Sequence, residues 1–202
     1  KHLLSLVENL LDHGKLDSGE IVIRPKTTKL AEIFEDVEIL LKPLSDAKKI
    51  NLDVLTSFDQ GVLSVLDDSR LRQCLINLLG NAVKFTDQGS VSLTASLDQD
   101  VLSVQVQDTG PGISSADLEK IRLPFWQGLD TGKAGTGLGL TITERLVELM
   151  GGDLLIQSEI GQGTKVSFQM PAPVVLSDEP ANSLDGIPAE PLSFLLAEND
   201  TD

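Results

Sequence analysis

The stretch that decides the fold, residues 69–85, reads SRLRQCLINLLGNAVKF. Its apolar residues recur every three or four positions and so lie on one side of a helix: Leu71, Leu75, Leu78, Ala82 and Phe85. Another side is polar and carries Gln73, Asn77, Asn81 and Lys84. Amide oxygens can ligate Mg²⁺ and an ammonium can neutralise phosphate. We therefore predict one stripe in a core and one that is either a ligand site or an ordinary solvated face.

Helix and strand patterns continue on both sides of this segment. Residues 91–97 and 101–107 alternate apolar and polar around the turn Asp98-Gln99-Asp100, which predicts a hairpin with one solvated face. Further helices are predicted at residues 30–49 and 138–150, and further strands at 51–57, 61–66, 153–158 and 164–170. This order predicts an α+β fold, a two-layer α/β sandwich whose mixed sheet is covered by helices on one face.

Composition excludes several classes of function. The chain has 202 residues, 41% of them hydrophobic, which is enough for one sizeable core. The net charge of -15 disfavours binding to nucleic acid or to an anionic membrane surface. No apolar stretch approaches the roughly 20 residues that cross a bilayer. Cys74 is the one cysteine, so we expect no internal disulfide and a cytoplasmic location.

Two glycine-containing loops are candidate ligand-binding segments. The first, Asp108-Thr109-Gly110-Pro111-Gly112-Ile113, follows a predicted strand. Its carboxylate could bind an exocyclic amine such as that of adenine, and its glycines would admit a flat ring, although a plain turn has the same composition. The second, Gly135-Thr136-Gly137-Leu138-Gly139-Leu140, opens into a predicted helix, where backbone N–H groups bind anions. It lacks the Gly-Lys-Ser/Thr ending of a P-loop.

The order of these segments resembles the catalytic domain of histidine kinases. The family's N, G1, F, G2 and G3 boxes are similar, in turn, to the helix with Asn81, Asp108-x-Gly-x-Gly, Phe125, Gly135-x-Gly-x-Gly and Gly161-x-Gly-Thr. The family has the Bergerat ATP-binding fold. The resemblance thus implies an ATP-binding domain over residues 18–172 that transfers the γ-phosphoryl group of ATP to a histidine.

The same resemblance implies roles for individual residues. Asn81 would ligate Mg²⁺, with Asn77 supporting it and Lys84 meeting phosphate, and Asp108 would bind the adenine amino group. Phe125 would anchor a lid at residues 127–134, in which Lys133 either reaches the γ-phosphate or is simply solvated. The other residues implied to border ATP are Gly110, Gly112, Ile113, Gly135, Thr136, Gly137, Leu138, Gly139 and Thr164. Arg122 and Leu123 depart from the family's usual aromatic and acidic residues, so the resemblance does not define how the lid base packs.

Asn77 separates kinase from hydrolase. Related ATPases of the gyrase and Hsp90 type place a water-activating glutamate four residues before the metal-binding asparagine, and a carboxamide cannot take a proton at neutral pH. Phosphoryl transfer to a nucleophile from elsewhere is therefore expected. The alternatives are a degenerate nucleotide-binding scaffold, an ATPase or a serine kinase of the same fold.

The two ends of the chain indicate neighbouring domains. Residues 1–17 resemble the end of the second dimerisation helix, although a terminal helix packed on its own domain has the same pattern. Neither His2 nor His13 fits the phosphoacceptor, so we expect ATP binding without self-phosphorylation by this chain. Residues 173–190 read as a linker, and residues 191–202 resemble the first strand of a receiver domain, with a strand-like linker end as the alternative.

These interpretations imply partners. They are the dimerisation and phosphotransfer domain of a parent kinase and a receiver domain or response regulator. We expect a homodimeric hybrid kinase as the parent, with any inner-membrane anchor upstream of Lys1.

Overall fold

The computed structural model describes residues 14, 16, 18–126 and 136–175. The helices there are α1 (Leu30–Lys48), α2 (Asp68–Phe85), α3 (Ser115–Leu118) and α4 (Gly139–Leu149). The strands are β1 (Lys26–Lys29), β2 (Asn51–Ser57), β3 (Leu63–Leu66), β4 (Ser90–Asp98), β5 (Val101–Asp108), β6 (Asp153–Glu159), β7 (Gly163–Pro171) and β8 (Val174–Val175).

Five strands form the main sheet, in the order β2-β4-β5-β7-β6. Strands β2 and β4 are parallel, and the other neighbouring pairs are antiparallel. Along β4 and β5, residues alternate between a buried apolar set and an outer set of Ser, Thr and Gln. Thr94, Gln105 and Ser167 share one row of the outer face. The predicted mixed sheet with one solvated face is confirmed.

Helices cover the inner face of this sheet. Helix α2 packs against α1 on one side, α4 on the other, and β4 and β5 beneath. Its buried surface is wider than the predicted stripe: Cys74, Leu79 and Val83 are buried as well, whereas Phe85 is only half-buried. A helix between two others needs this wider apolar surface. None of the described helices is long and apolar enough to span a membrane.

Both ends of α2 are capped by side chains. Asp67, at the N-cap, accepts hydrogen bonds from Arg70 N at 3.1 Å, Ser69 Oγ at 2.7 Å and Arg24 N at 2.8 Å. At the other end, Lys48 Nζ donates to the carbonyls of the last turn: Val83 (2.7 Å), Lys84 (3.0 Å) and Thr86. A carboxylate at the start and an ammonium at the end also suit the helix dipole.

A second, small sheet was not predicted in full. Its strand order is β1-β3-β8, and only β3 was expected as a strand. Strands β1 and β8 are four and two residues long, too short for periodicity to reveal. Because Val175 pairs with Leu63, the first residues of the predicted 173–190 linker are in fact part of the fold. The predicted dimerisation helix (except Gly14 and Leu16), the rest of the linker and the predicted receiver strand lie outside the described residues.

Substitution of Asp67 by Ala tests the N-cap. Burial raises the pKa of Asp67, but hydrogen bonds from Arg24, Ser69 and Arg70 outweigh burial, so the pKa lies below its ordinary value of 3.8. The stabilisation is therefore present above the ordinary pKa and lost as pH falls through the folded pKa. We expect D67A to lower the free energy of unfolding by about 1–2 kcal/mol at pH 7, and the deficit to shrink in acid.

Urea unfolding at pH 7 and below pH 4 measures this effect. Asp59→Ala, at an exposed turn, is the control. A D67A deficit that did not change with pH would contradict an ionised cap.

Candidate functional site

The carboxylate predicted to bind adenine lies at the end of β5. Asp108 is 9% exposed, and its Oδ1 accepts hydrogen bonds from Gly110 N at 2.8 Å and Thr164 N at 3.3 Å. Burial raises the pKa of this carboxyl, and the two N–H donors offset the rise only in part. Ionisation of Asp108 therefore costs free energy in the ligand-free protein, and a further hydrogen-bond donor would stabilise the ionised carboxylate.

Two glycines let neighbouring loops pack backbone to backbone around Asp108. Gly112 has a φ of +71°, and a Cβ on it would lie 1.9 Å from the Glu159 carbonyl oxygen. Gly163 has a φ of +98°, and its Cβ would lie 2.0 Å from the Asp108 carbonyl oxygen. No side chain fits at either position, so these glycines are required by contact as well as by conformation.

Ser158, which sequence reasoning missed, links the two loops. Its Oγ accepts from Ile113 N at 2.8 Å and donates to the Gly163 carbonyl at 2.8 Å. Thr164 Oγ1 lies 2.9 Å from the same hydroxyl. The Ile113 N–H is therefore occupied internally. In the sequence, Ser158 was only the last residue of a predicted strand, which gave no signal of this role.

The carboxamides of α2 face the start of α4. A Cβ on Gly139 would lie 3.8 Å from Asn77 Cγ and 3.9 Å from Asn81 Nδ2. Asn77 Nδ2 also lies 3.4 Å from the hydroxyl of Thr143, which itself donates to the Gly139 carbonyl at 2.8 Å. The polar stripe is thus turned toward the glycine-rich loop. Buried Thr143, four residues after Gly139, was a partner that helical spacing could have indicated.

The start of α4 is suited to an anion. Its first turn contains no acidic side chain, and no side chain caps it. The Leu138 N–H bonds Thr136 Oγ1 at 3.2 Å, but the next N–H groups, from Gly139 onward, are those that an α-helix leaves without an internal partner. Leu138 is 1% exposed, so its side chain belongs to the core and only its backbone could border a ligand.

Phe125 reaches the second loop through its backbone. Its N–H donates to the Gly137 carbonyl at 3.1 Å, and its side chain is 57% exposed. Gly137 has a φ of +71°, and a Cβ on it would lie 2.6 Å from the Trp126 carbonyl oxygen. Residues on the two sides of the predicted lid, Trp126 before it and Gly137 after it, therefore lie in contact. Lys133 and Gly135 lie outside the described residues, and their roles stay predictions.

Lys84 has a contact that was not predicted. Its ammonium lies 4.6 Å from the centre of the Phe85 ring, a cation–π geometry. The predicted contact of Lys84 with phosphate stays a prediction.

The carboxamide oxygen of Asn81 is a type of ligand that suits Mg²⁺. Within the described part of the chain, no group of three or more His, Cys, Asp and Glu could hold a metal ion. Mg²⁺, however, takes one or two protein oxygens and completes its shell with water and phosphate oxygens. The Asn81 carboxamide, which faces the start of α4, carries an oxygen of this kind.

A groove lies on the other side of the sheet. It has a volume of about 900 Å³ and is lined by outer-face residues such as Thr94, Gln105 and Ser167. Asn81, Asp108 and Gly139 do not line it. The groove is therefore separate from the site built by α2, α4 and the two loops.

Comparisons with known proteins identify the family of the chain. The model of the "Histidine kinase-, DNA gyrase B-, and HSP90-like ATPase" family matches residues 66–174. "Sensor histidine kinase RcsC" of Escherichia coli is 36% identical over 172 residues, covering 84% of this chain and 18% of that protein. "Autoinducer 2 sensor kinase/phosphatase LuxQ" of Vibrio cholerae is 36% identical over 200 residues, covering 95% and 23%. The chain thus spans about a fifth of the length of these curated relatives.

Solved structures are similar as well. Full-length ShkA, crystallised with AMPPNP, superposes with a TM-score of 0.76 at 34% identity, over 87% of this chain and 37% of that one. The catalytic domain of the histidine kinase ThkA has a TM-score of 0.64 at 27% identity, over 73% and 95%.

Asp108→Asn tests the cost of the buried charge. The substitution keeps an acceptor for Gly110 and Thr164 but removes the charge. Because the folded pKa of Asp108 is raised, the free protein loses stability as pH rises from the ordinary 3.8 through the folded pKa. We expect D108N at pH 7 to be as stable as the wild type or up to about 1 kcal/mol more stable.

Thermal unfolding without nucleotide, from pH 3 to pH 7, measures the difference. A large loss of stability in D108N at pH 7 would show that the charge supports the fold rather than a ligand.

Proposed function

Because the chain belongs to the histidine kinase-, DNA gyrase B- and HSP90-like ATPase family and is the ATP-binding catalytic domain of a sensor histidine kinase, we propose that it binds Mg-ATP between Asp108 and the start of α4. We further propose that it transfers the γ-phosphoryl group to a histidine of its parent's dimerisation domain. The observation that carries the proposal is that α2 presents Asn77 and Asn81 to Gly139.

The adenine end of the site is proposed at Asp108. Its Oδ1 is occupied by two backbone donors, which orient the carboxylate and leave Oδ2 for the amino group of adenine. Gly110 lies against the Phe85 carbonyl, where a Cβ would come within 3.4 Å, so the end of α2 contacts the same loop. Gly110 and Gly112 are proposed to border the ring through their backbone, since the space that a Cβ on Gly112 would occupy is filled by the Glu159 carbonyl.

The triphosphate is proposed to lie at the N-terminus of α4, bordered by Gly135, Gly137 and Gly139. Backbone N–H groups and the helix dipole would stabilise its charge there, which matters because the chain as a whole has a charge of -15. Asn81 would supply a carboxamide oxygen to Mg²⁺, and the bound ion would neutralise phosphate charge. Lys84 and Lys133 are the proposed cationic partners of the phosphates.

Transfer rather than hydrolysis is favoured by Asn77. Its amide nitrogen points at Thr143 and at the Gly139 carbonyl, with distances of 3.4 and 3.5 Å. A carboxamide held in this way orients α4 but cannot deprotonate water. In the proposed reaction the bond between the γ-phosphorus and the bridging oxygen breaks, a bond from phosphorus to an imidazole nitrogen forms, and ADP leaves.

The acceptor and later partners would come from the parent protein. We propose a dimerisation and phosphotransfer domain as the direct partner and a receiver domain or response regulator as the next one. We also propose a cytoplasmic position of this domain in a homodimeric, membrane-anchored hybrid parent.

Nucleotide binding is tested by calorimetric titration of the chain with AMPPNP, with and without Mg²⁺. We expect D108N to weaken binding by about tenfold or more, about 1.4 kcal/mol, because the adenine contact is lost. Asn81→Ala should remove most of the difference that Mg²⁺ makes. Asp59→Asn, at an exposed turn, is the matched control for D108N. Unchanged affinity in both D108N and Asn81→Ala would overturn the site assignment.

Phosphoryl transfer is tested with radiolabelled ATP and a separately supplied dimerisation domain. We expect label on a histidine of that domain and no label on this chain, with Asn81→Ala slowing the transfer. Binding without any transfer would favour a noncatalytic scaffold. Rapid release of free phosphate would favour a hydrolase.

A further inference from the structure

We infer that the ion pair between Arg122 and Glu144 is a positioning contact for the triphosphate of ATP. The pair joins the segment before Phe125 to α4 and neutralises a carboxylate beside the phosphate-binding end of that helix. The inference rests on the proposed function, since it concerns the same site. Neither residue was among those predicted to contact ATP.

Arg122 contacts α4 twice. Its guanidinium Nη1 donates to Glu144 Oε1, and its carbonyl accepts a hydrogen bond from Thr141 Oγ1 at 3.2 Å. Thr141 lies in the first turn of α4 and Glu144 in the second. Arg122 therefore contacts the first turn of α4 through its backbone carbonyl and the second turn through its guanidinium. Three residues later, the Phe125 N–H bonds the Gly137 carbonyl, which continues the same connection.

Helix α4 is held from its other side by α2. Asn77 contacts Thr143 and Gly139 there, as described above. The glycine-rich end of α4 therefore lies between two polar contacts, one from α2 and one from Arg122. Losing the Arg122 contact would remove one of these two polar contacts, while the buried side chains of α4 and the hydrogen bond from Phe125 N–H to the Gly137 carbonyl would remain.

The charge of Glu144 makes the pair relevant to an anion. Glu144 follows Gly139 by five residues, a rise of about 7.5 Å, and helical side chains tilt toward the N-terminus. Its carboxylate is therefore within about one Debye length, ~10 Å, of the proposed phosphate position. The Glu144 side chain is 21% exposed and that of Arg122 is 42% exposed, so solvent screens the carboxylate in part but not fully. Without Arg122 it would repel the triphosphate.

An exposed ion pair generally contributes little free energy, and α4 carries such a pair near its C-terminal end. Arg145 pairs with Glu148 at 2.7 Å on the same helix, but these side chains are 55% and 48% exposed. The Arg145–Glu148 pair lies nearer the C-terminal end of α4. It is therefore a matched control of the same chemistry on the same element.

The test compares AMPPNP and adenosine binding to the full chain and its variants by calorimetry and NMR titration. Relative to the wild type, we expect Arg122→Glu to weaken AMPPNP binding about tenfold and adenosine binding by less than about twofold. The double variant R122E/E144R should recover AMPPNP affinity to within about threefold. Arg145→Glu should stay within about twofold. The effect of R122E should decrease when salt is raised from about 0.05 to 0.5 M.

Three results would overturn the inference while the wild type still binds AMPPNP. In the first, R122E binds AMPPNP as tightly as Arg145→Glu does. In the second, R122E loses as much affinity for adenosine as for AMPPNP. In the third, the double variant R122E/E144R does not recover affinity for AMPPNP. Failure of the wild type to bind AMPPNP would instead overturn the proposed function, and this inference with it. If R122E does not fold, as judged by thermal unfolding, Arg122→Gln provides the same comparison, with about a threefold loss for AMPPNP expected.

Discussion

The site depends on α2 being held at both of its ends. The Asp67 carboxylate accepts a hydrogen bond from an N–H of the first turn, and the Lys48 ammonium donates to carbonyls of the last turn. Both ends of the helix are therefore held in place. Its buried side then fixes its rotation against α1, α4 and the sheet. With position and rotation fixed, Asn77 and Asn81 must face Gly139, and the Phe85 carbonyl must lie beside Gly110. One element thus connects the proposed adenine end to the proposed phosphate end.

The rest of the site is built from backbone contacts that only glycine allows. Gly112 and Gly163 bring two loops to van der Waals distance around Asp108, and Ser158 ties them together. This packing buries the Asp108 carboxylate and raises its pKa, so the free protein carries a cost that a hydrogen-bond donor would relieve. The groove across the sheet also has a carboxylate in its lining, but this residue, Asp153, is exposed, unlike Asp108.

Much of the fold was predictable because the periodicities are long. The predicted bounds of α2, β2 and the β4–β5 hairpin agree with the structure to within one residue, and Gln99 and Asp100 have positive φ at the predicted turn. Strands β1 and β8 escaped prediction because they are short and pair only through distant sequence. The resemblance indicated the loops of the candidate site, but Ser158 and Lys48 act through contacts between residues far apart in sequence. Arg122 appeared only as a departure from the family pattern, since its partner Glu144 could be found only in three dimensions.

The central claim is that one nucleotide spans the site from Asp108 to the start of α4. Backbone amide NMR of the labelled chain, titrated with Mg-AMPPNP, tests it most directly. We expect shifts at Gly110 and Thr164 at one end and at Gly139 and Leu140 at the other, with Thr94 and Ser167 on the outer face unchanged. Shifts confined to the outer groove, or to one end only at saturating ligand, would contradict it.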